Sequence, residues 1–124
     1  MRLLLAVMLA LASPLAAAQF ISLLKDTPAE RFDDEDLKLF LDTARKALDG
    51  APENEKLSWE NPKTRHRGEI TVLRNFENRN RPCKEVKVYN EAQGRKGTNY
   101  HNLCQVDGKW RLVSAAQLKK KAEK

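Results

Sequence analysis

The chain changes its hydrophobic period near residue 57. Before that point, in "DDEDLKLFLDTARKALDG", Leu37, Phe40, Leu41, Ala44, Ala47 and Leu48 recur at steps of three and four. That spacing draws one apolar stripe along a helix. Asp33 to Asp36 fall at the positive end of the helix dipole, and Gly50 fits just past the last turn. Dipole complementation accounts for the "DDED" cluster without a metal or catalytic role. Upstream, "TPAE" sets a hydroxyl at a cap position, Pro at the first helical position and Glu at the third. The helical part is therefore expected over about residues 28–50.

From Leu57 the pattern shortens to alternating runs divided by turn chemistry. "LSWE" precedes the breaker "NPKT", and "GEITVLRNF", "CKEVKVYN", "TNYHNLCQV" and "KWRLVS" follow. Asp107-Gly108 between the last two is a hairpin dipeptide. These runs predict an antiparallel sheet of three to five strands over about residues 57–114. One N-terminal amphipathic helix packed on such a sheet makes a small α+β domain. Trp59 and Trp110, each at a strand position, are expected to pack in the core.

The two cysteines sharpen this picture. Cys83 lies ten residues before Gln93, and Cys104 lies ten after Gly94. If the chain reverses about Gln93-Gly94, residues pair when their numbers sum to 187, and Cys83 and Cys104 meet that condition. They would face each other across neighbouring strands with Cα atoms ~4.5–5.5 Å apart, within disulfide reach. A bond closing a ring of this size contributes about 3 kcal/mol by loop entropy.

The beginning of the chain bears on where that bond forms. Met1-Arg2, an apolar run from Leu3 to Ala12, the Ser13-Pro14 break and small residues before Gln19 follow the grammar of a secretory signal peptide. The expected organisation is a signal over 1–18, one domain over 19–114 and a basic tail over 115–124. Export to an oxidising compartment favours a disulfide over free thiols. The run is too short to span a bilayer, which takes ~20 residues, and no cysteine stands at the cleavage point for lipidation.

Charge is divided unevenly. The chain is +6 overall; residues 19–60 hold 11 acids and 6 bases, and 61–124 hold 6 acids and 16 bases. Such asymmetry prompts a search for charged partners. Arg65, Arg67, Arg74 and Lys87 are the candidate anionic-ligand face, with Tyr89, Tyr100 and Trp110 nearby in sequence. Basic strips with aromatics can bind nucleic acid, but export turns the expectation to an anionic envelope polymer, a lipid headgroup or an acidic envelope protein. A zinc site from Cys83, Cys104, His101 and His66 is disfavoured, because His101 and Cys104 stand three apart on a strand and point to opposite faces. There is no glycine-rich phosphate loop, no G-x-S-x-G and no evident nucleophile–base set. No cofactor, metal or catalytic residue is therefore expected.

The segments "SWENPKTRHRGEI", "CKEVKVYN" and "LCQVDGKWRLV", taken in order, resemble the C-terminal domain of the 17 kDa surface antigen family of bacterial outer membranes. The residues that carry the resemblance are Trp59, Asn61, Pro62, Gly68, Cys83, Lys84, Glu85, Cys104, Asp107, Gly108 and Trp110, within roughly 57–113. Arg65 departs from the family, which usually has glycine there. The lipidated cysteine and upstream glycine zipper of typical members have no counterpart in this sequence. The resemblance implies a small β-rich domain and no enzymatic activity. The expected function is that of an exported, non-catalytic cell-envelope protein in the periplasm or at the outer-membrane periphery, with a structural or contact role. The alternative is a periplasmic module that binds an anionic ligand on a basic sheet face.

Overall fold

The computed structural model of the chain describes residues 26–122, with side chains as far as Leu118. The signal segment expected over 1–18 and the side chains of Lys119 to Lys121 lie outside the described residues. The elements run from a 3-10 turn (Pro28–Arg31) to helix α1 (Asp34–Gly50). Strands β1 (Lys56–Glu60), β2 (Arg67–Asn78), β3 (Arg81–Ala92), β4 (Arg95–Val106) and β5 (Lys109–Val113) come next, and helix α2 (Ala115–Ala122) closes the chain. The strands form one antiparallel sheet in sequence order. Sheet outweighs helix, and among the described residues no helix is long and apolar enough to cross a membrane.

The helical stretch expected over 28–50 is two elements. Thr27 caps the first turn by accepting from the Ala29 amide, with Pro28 at its start. Phe32 and Asp33 then take extended conformations, and Asp33 begins α1 afresh. The break exists because Asp33 and Asp36 form a capping box: Asp33 Oδ1 accepts from the Asp36 amide and Asp36 Oδ2 from the Asp33 amide.

Pairing is set by the turns. Arg79-Asn80, Gln93-Gly94 and Asp107-Gly108 all have positive φ at both positions, the type I′ geometry whose twist matches two-residue hairpins. The reversal at Gln93-Gly94 sets Cys83 opposite Cys104, joined by a disulfide with Cα atoms 4.0 Å apart. One bulge between Val72 and Arg74 shifts the alternation of β2.

Helix α1 covers one face only. Phe40, Ala44, Ala47 and Leu48 pack on Trp59, Ile70, Val72, Val86, Val88 and Leu103. Burying a side chain such as Phe40 is worth about 2–3 kcal/mol. Trp59 belongs to this core and Trp110 flanks it. The disulfide lies on the other face, where the register places Phe76 and Arg111 beside it.

Candidate functional site

The loop between β1 and β2 is built around Asn61. Its amide donates to the His66 carbonyl at 2.9 Å, and its side-chain oxygen accepts from the Lys63 amide at 3.0 Å. Thr64 Oγ1 accepts from the His66 amide, and Arg65 takes positive φ at the tip. This closed loop turns three side chains inward, all toward the Asp36 carboxylate. Asn61 Nδ2 and Thr64 Oγ1 donate to Oδ1 at 2.8 and 2.7 Å. His66 Nδ1 lies 2.8 Å from Oδ2, which also accepts from the Asp33 amide.

Asp36 is fully buried. Burial alone would raise its pKa, but the Asp33 amide, Thr64, His66 and Asn61 outweigh that and hold it below the ordinary carboxylate value. An ionised Asp36 is acceptor-only, so His66 carries its proton on Nδ1 toward it. Phe32 covers the cluster, edge-on to Trp59 at 5.0 Å and 6.2 Å from the His66 ring. The cluster thus locks the β1–β2 loop to the start of α1. The dipole explanation for the acidic run holds for exposed Asp34 and Glu35, but Asp36 has this second task.

Gly68 and Gly97 let the same end of the molecule close. Trp59, Gly68, Asn90 and Gly97 form one cross-strand row. A Cβ on Gly68 would lie 2.3 Å from Asn90 Oδ1 and 2.4 Å from Trp59 Nε1. A Cβ on Gly97 would lie 2.9 Å from the Pro28 ring. The glycines thus make room for the indole and for the 3-10 turn.

The second candidate is the sheet face turned away from α1. By register it carries Arg67, Glu69 and Thr71 of β2, Lys87, Tyr89 and Glu91 of β3, and Lys96, Thr98 and Tyr100 of β4. Past the bulge it carries Arg74, Phe76 and Glu85. Arg67, Arg74 and Lys87 therefore share this face, whereas Arg65 sits at the β1–β2 loop tip, off any strand. Arg67 is paired to Glu91 at 2.6 Å and Glu69 at 3.0 Å, and Arg74 to Glu85 at 3.0 Å. Hydrogen bonding from Tyr89 holds Glu91 below the usual carboxylate range; burial opposes this, and Arg67 reinforces it. Burial and the same bond to Glu91 push the Tyr89 hydroxyl up. Lys87 is exposed and has no ion-pair partner among the described residues. It borders a shallow depression of about 150 Å³ with Lys56, Glu69, Thr71, Tyr89 and Thr98.

The four side chains that a zinc site would need do not converge. Both cysteines are in the disulfide, His66 is engaged by Asp36, and His101 lies on the helix-covered face. Among the described residues no group of three or more His, Cys, Asp or Glu forms a metal-binding cluster.

Sequence reasoning missed the Asp36 lock. The available signal was "NPKT", where a side-chain amide followed by Pro and a hydroxyl marks a self-bonded loop. Nothing in the spacing says that this loop meets residue 36.

Comparison with known proteins finds relatives of this sequence. Over 84 residues the chain is 30% identical to the "17 kDa surface antigen" of Rickettsia prowazekii, covering 66% of this chain and 53% of that protein. The same-named proteins of Rickettsia bellii and Rickettsia felis match over the same length at 30% and 29%. No family model matches the chain, and no solved structure does. The chain spans about half the length of these relatives. It is a homologue, over two thirds of its own length, of the rickettsial proteins named 17 kDa surface antigen.

Proposed function

We propose that the protein is an exported, non-catalytic envelope component that works through contacts made by its open sheet face. The observation that carries this is the division of the sheet. Helix α1 packs over the core of one face, and the other spreads Arg67, Glu69, Lys87, Tyr89, Glu91 and Tyr100 in a solvated layer where Arg67 is matched by glutamates and Lys87, among the described residues, is not. Such a surface suits docking to a flat partner better than enclosing a small substrate. The name of the rickettsial relatives supports an envelope location, and the disulfide supports an oxidising compartment.

Intact mass of the protein from native envelope, with and without reduction and thiol alkylation, tests the location. A chain beginning at Gln19 with thiols blocked until reduction is expected. Retention of Met1 with two free thiols would overturn the envelope assignment.

The anionic-ligand alternative is favoured by one observation, that Arg67, Arg74 and Lys87 share the open face. Two of these charges are already matched by glutamates, so Lys87 and the loop-tip Arg65 would supply most of the attraction. Retention on a polyanionic matrix that falls with salt, and falls further on charge reversal of Arg65 and Lys87, would favour that alternative. Indifference to both would favour protein contacts.

A further inference from the structure

The two flanks of the central hairpin are finished differently. Strand β1 covers β2 from Arg67 to Thr71, and the connector before β1 seals the next stretch of β2. The Asn54 amide donates to the Val72 carbonyl at 2.7 Å, and Glu53 Oε1 accepts from the Asn75 amide at 2.7 Å. On the opposite flank β5 pairs only with Asn102 to Val106. Among the described residues nothing pairs with β4 from Arg95 to His101, so half of that long strand is an open edge.

The backbone groups that face outward there can be named. A two-residue I′ turn closes on a hydrogen-bonded pair, here Ala92 and Arg95. The 4.0 Å Cα separation of Cys83 and Cys104 marks a non-hydrogen-bonded pair, in keeping with the same alternation. The odd-numbered residues of β4 therefore bond to β3, and Lys96, Thr98 and Tyr100 direct their N–H and C=O groups outward.

We infer that this edge pairs with the same edge of a second copy, antiparallel about a two-fold axis at Thr98, continuing the sheet across the dimer. The symmetry fixes the register. Centring on Thr98 pairs Lys96 with the second copy's Tyr100, Thr98 with its own mate, and Tyr100 with Lys96, which makes about six backbone hydrogen bonds. Centring one residue either way loses a pair or runs into β5.

The side chains fit this register. Tyr100 is 62% exposed, the most exposed large hydrophobic side chain among the described residues, and it would lie against a lysine. A charged edge residue normally repels an incoming strand, but Lys96 is already paired to Glu91 at 3.7 Å. Arg95 would meet the His101 imidazole, which burial keeps toward its neutral form. No like charges are opposed. By contrast β1 and β5 are only five residues long, the short edges that discourage pairing. The inference concerns self-association and does not depend on the ligand of the open face.

Sedimentation velocity of the disulfide-oxidised protein from micromolar to millimolar concentration tests it. Hydrogen exchange at the amides of Lys96, Thr98 and Tyr100 provides the second readout. A reversible dimer is expected, with those three amides protected as concentration rises. Thr98→Pro removes one outward amide per copy without touching the β3 ladder, and should weaken association roughly tenfold or more. Thr98→Lys sets two like charges across the axis and should act in the same direction, with far-UV circular dichroism unchanged. If Thr98→Pro fails to fold, Thr98→Lys decides alone. A monomer throughout the range, or a dimer that survives Thr98→Lys, would overturn the inference.

Discussion

Replacing Asp36 by alanine leaves Asn61 Nδ2, Thr64 Oγ1, His66 Nδ1 and the Asp33 amide without their acceptor. A buried donor without an acceptor costs about 1–3 kcal/mol. Four such groups would exceed the cost of breaking a buried ion pair, about 3–5 kcal/mol, if water could not enter. Opening of the β1–β2 loop limits the loss, so about 4–5 kcal/mol is expected. That is about a quarter or more of the stability of a typical domain, about 5–15 kcal/mol. At roughly 4–8 °C per kcal/mol for a chain of this size, the melting temperature should fall by about 16–40 °C. Asp36→Asn keeps the shape but turns an NH2 group toward donors, and should cost about 3 kcal/mol. Urea unfolding of the oxidised protein followed by far-UV circular dichroism measures both, with exposed Asp34→Ala as a control near zero. The same carboxyl predicts an acid response. Its folded pKa is depressed, so its contribution is complete above the unfolded value of about 3.9 and is lost as pH falls through the lower folded value. Asp36→Asn should lack that acid-labile component. A cost under about 1 kcal/mol for both variants would refute the lock as a determinant of the fold.

Gly68→Ala should destabilise by about 2–3 kcal/mol and perturb the near-UV signal of Trp59, because the new Cβ would meet the Tyr89 carbonyl at 2.8 Å as well as two side chains. Normal stability and spectrum would contradict that packing. Reducing Cys83–Cys104, or replacing both with serine, should cost about 3 kcal/mol in the same urea assay; an unchanged midpoint would deny the bond its bracing role. His101 Nε2 is buried without a partner beside an apolar gap of about 20 Å³ lined by Phe40, Ala44, Leu48, Ile70, Val86, Val88 and Leu103. Burial depresses its pKa, so the unfolded chain binds the proton more readily, and stability should decline as pH falls below about 6.5. His101→Leu should raise stability and flatten that slope, whereas an unaltered pH profile would show that the imidazole is hydrated in the fold.

Local chemistry made much of the architecture legible in the sequence. The three- and four-residue steps from Leu37 to Leu48 mark a helix because only that period gathers them on one face. Alternation after Leu57 marks strands, and the positions of Cys83 and Cys104 about Gln93-Gly94 give the hairpin register, because antiparallel pairing conserves the sum of residue numbers. The turn at Arg79-Asn80 carries a weaker signal: neither residue is glycine, and their positive φ is imposed by the strands they join.

The sequence by itself determined one amphipathic helix, an antiparallel sheet and a cross-strand disulfide, each set by spacing along the chain. Tertiary structure alone decided that Asp36, Asn61, Thr64 and His66 converge, since 25 to 30 residues separate the carboxylate from its side-chain donors. It also decided that Arg67 and Arg74 face glutamates on β3, so a basic strip in sequence becomes a layer of matched charges. Period and turn chemistry act between near neighbours and can be read from the chain. Charge matching and buried hydrogen bonding depend on which distant residues packing brings within about 3 Å, and that distance is set only when the sheet and helix close on each other.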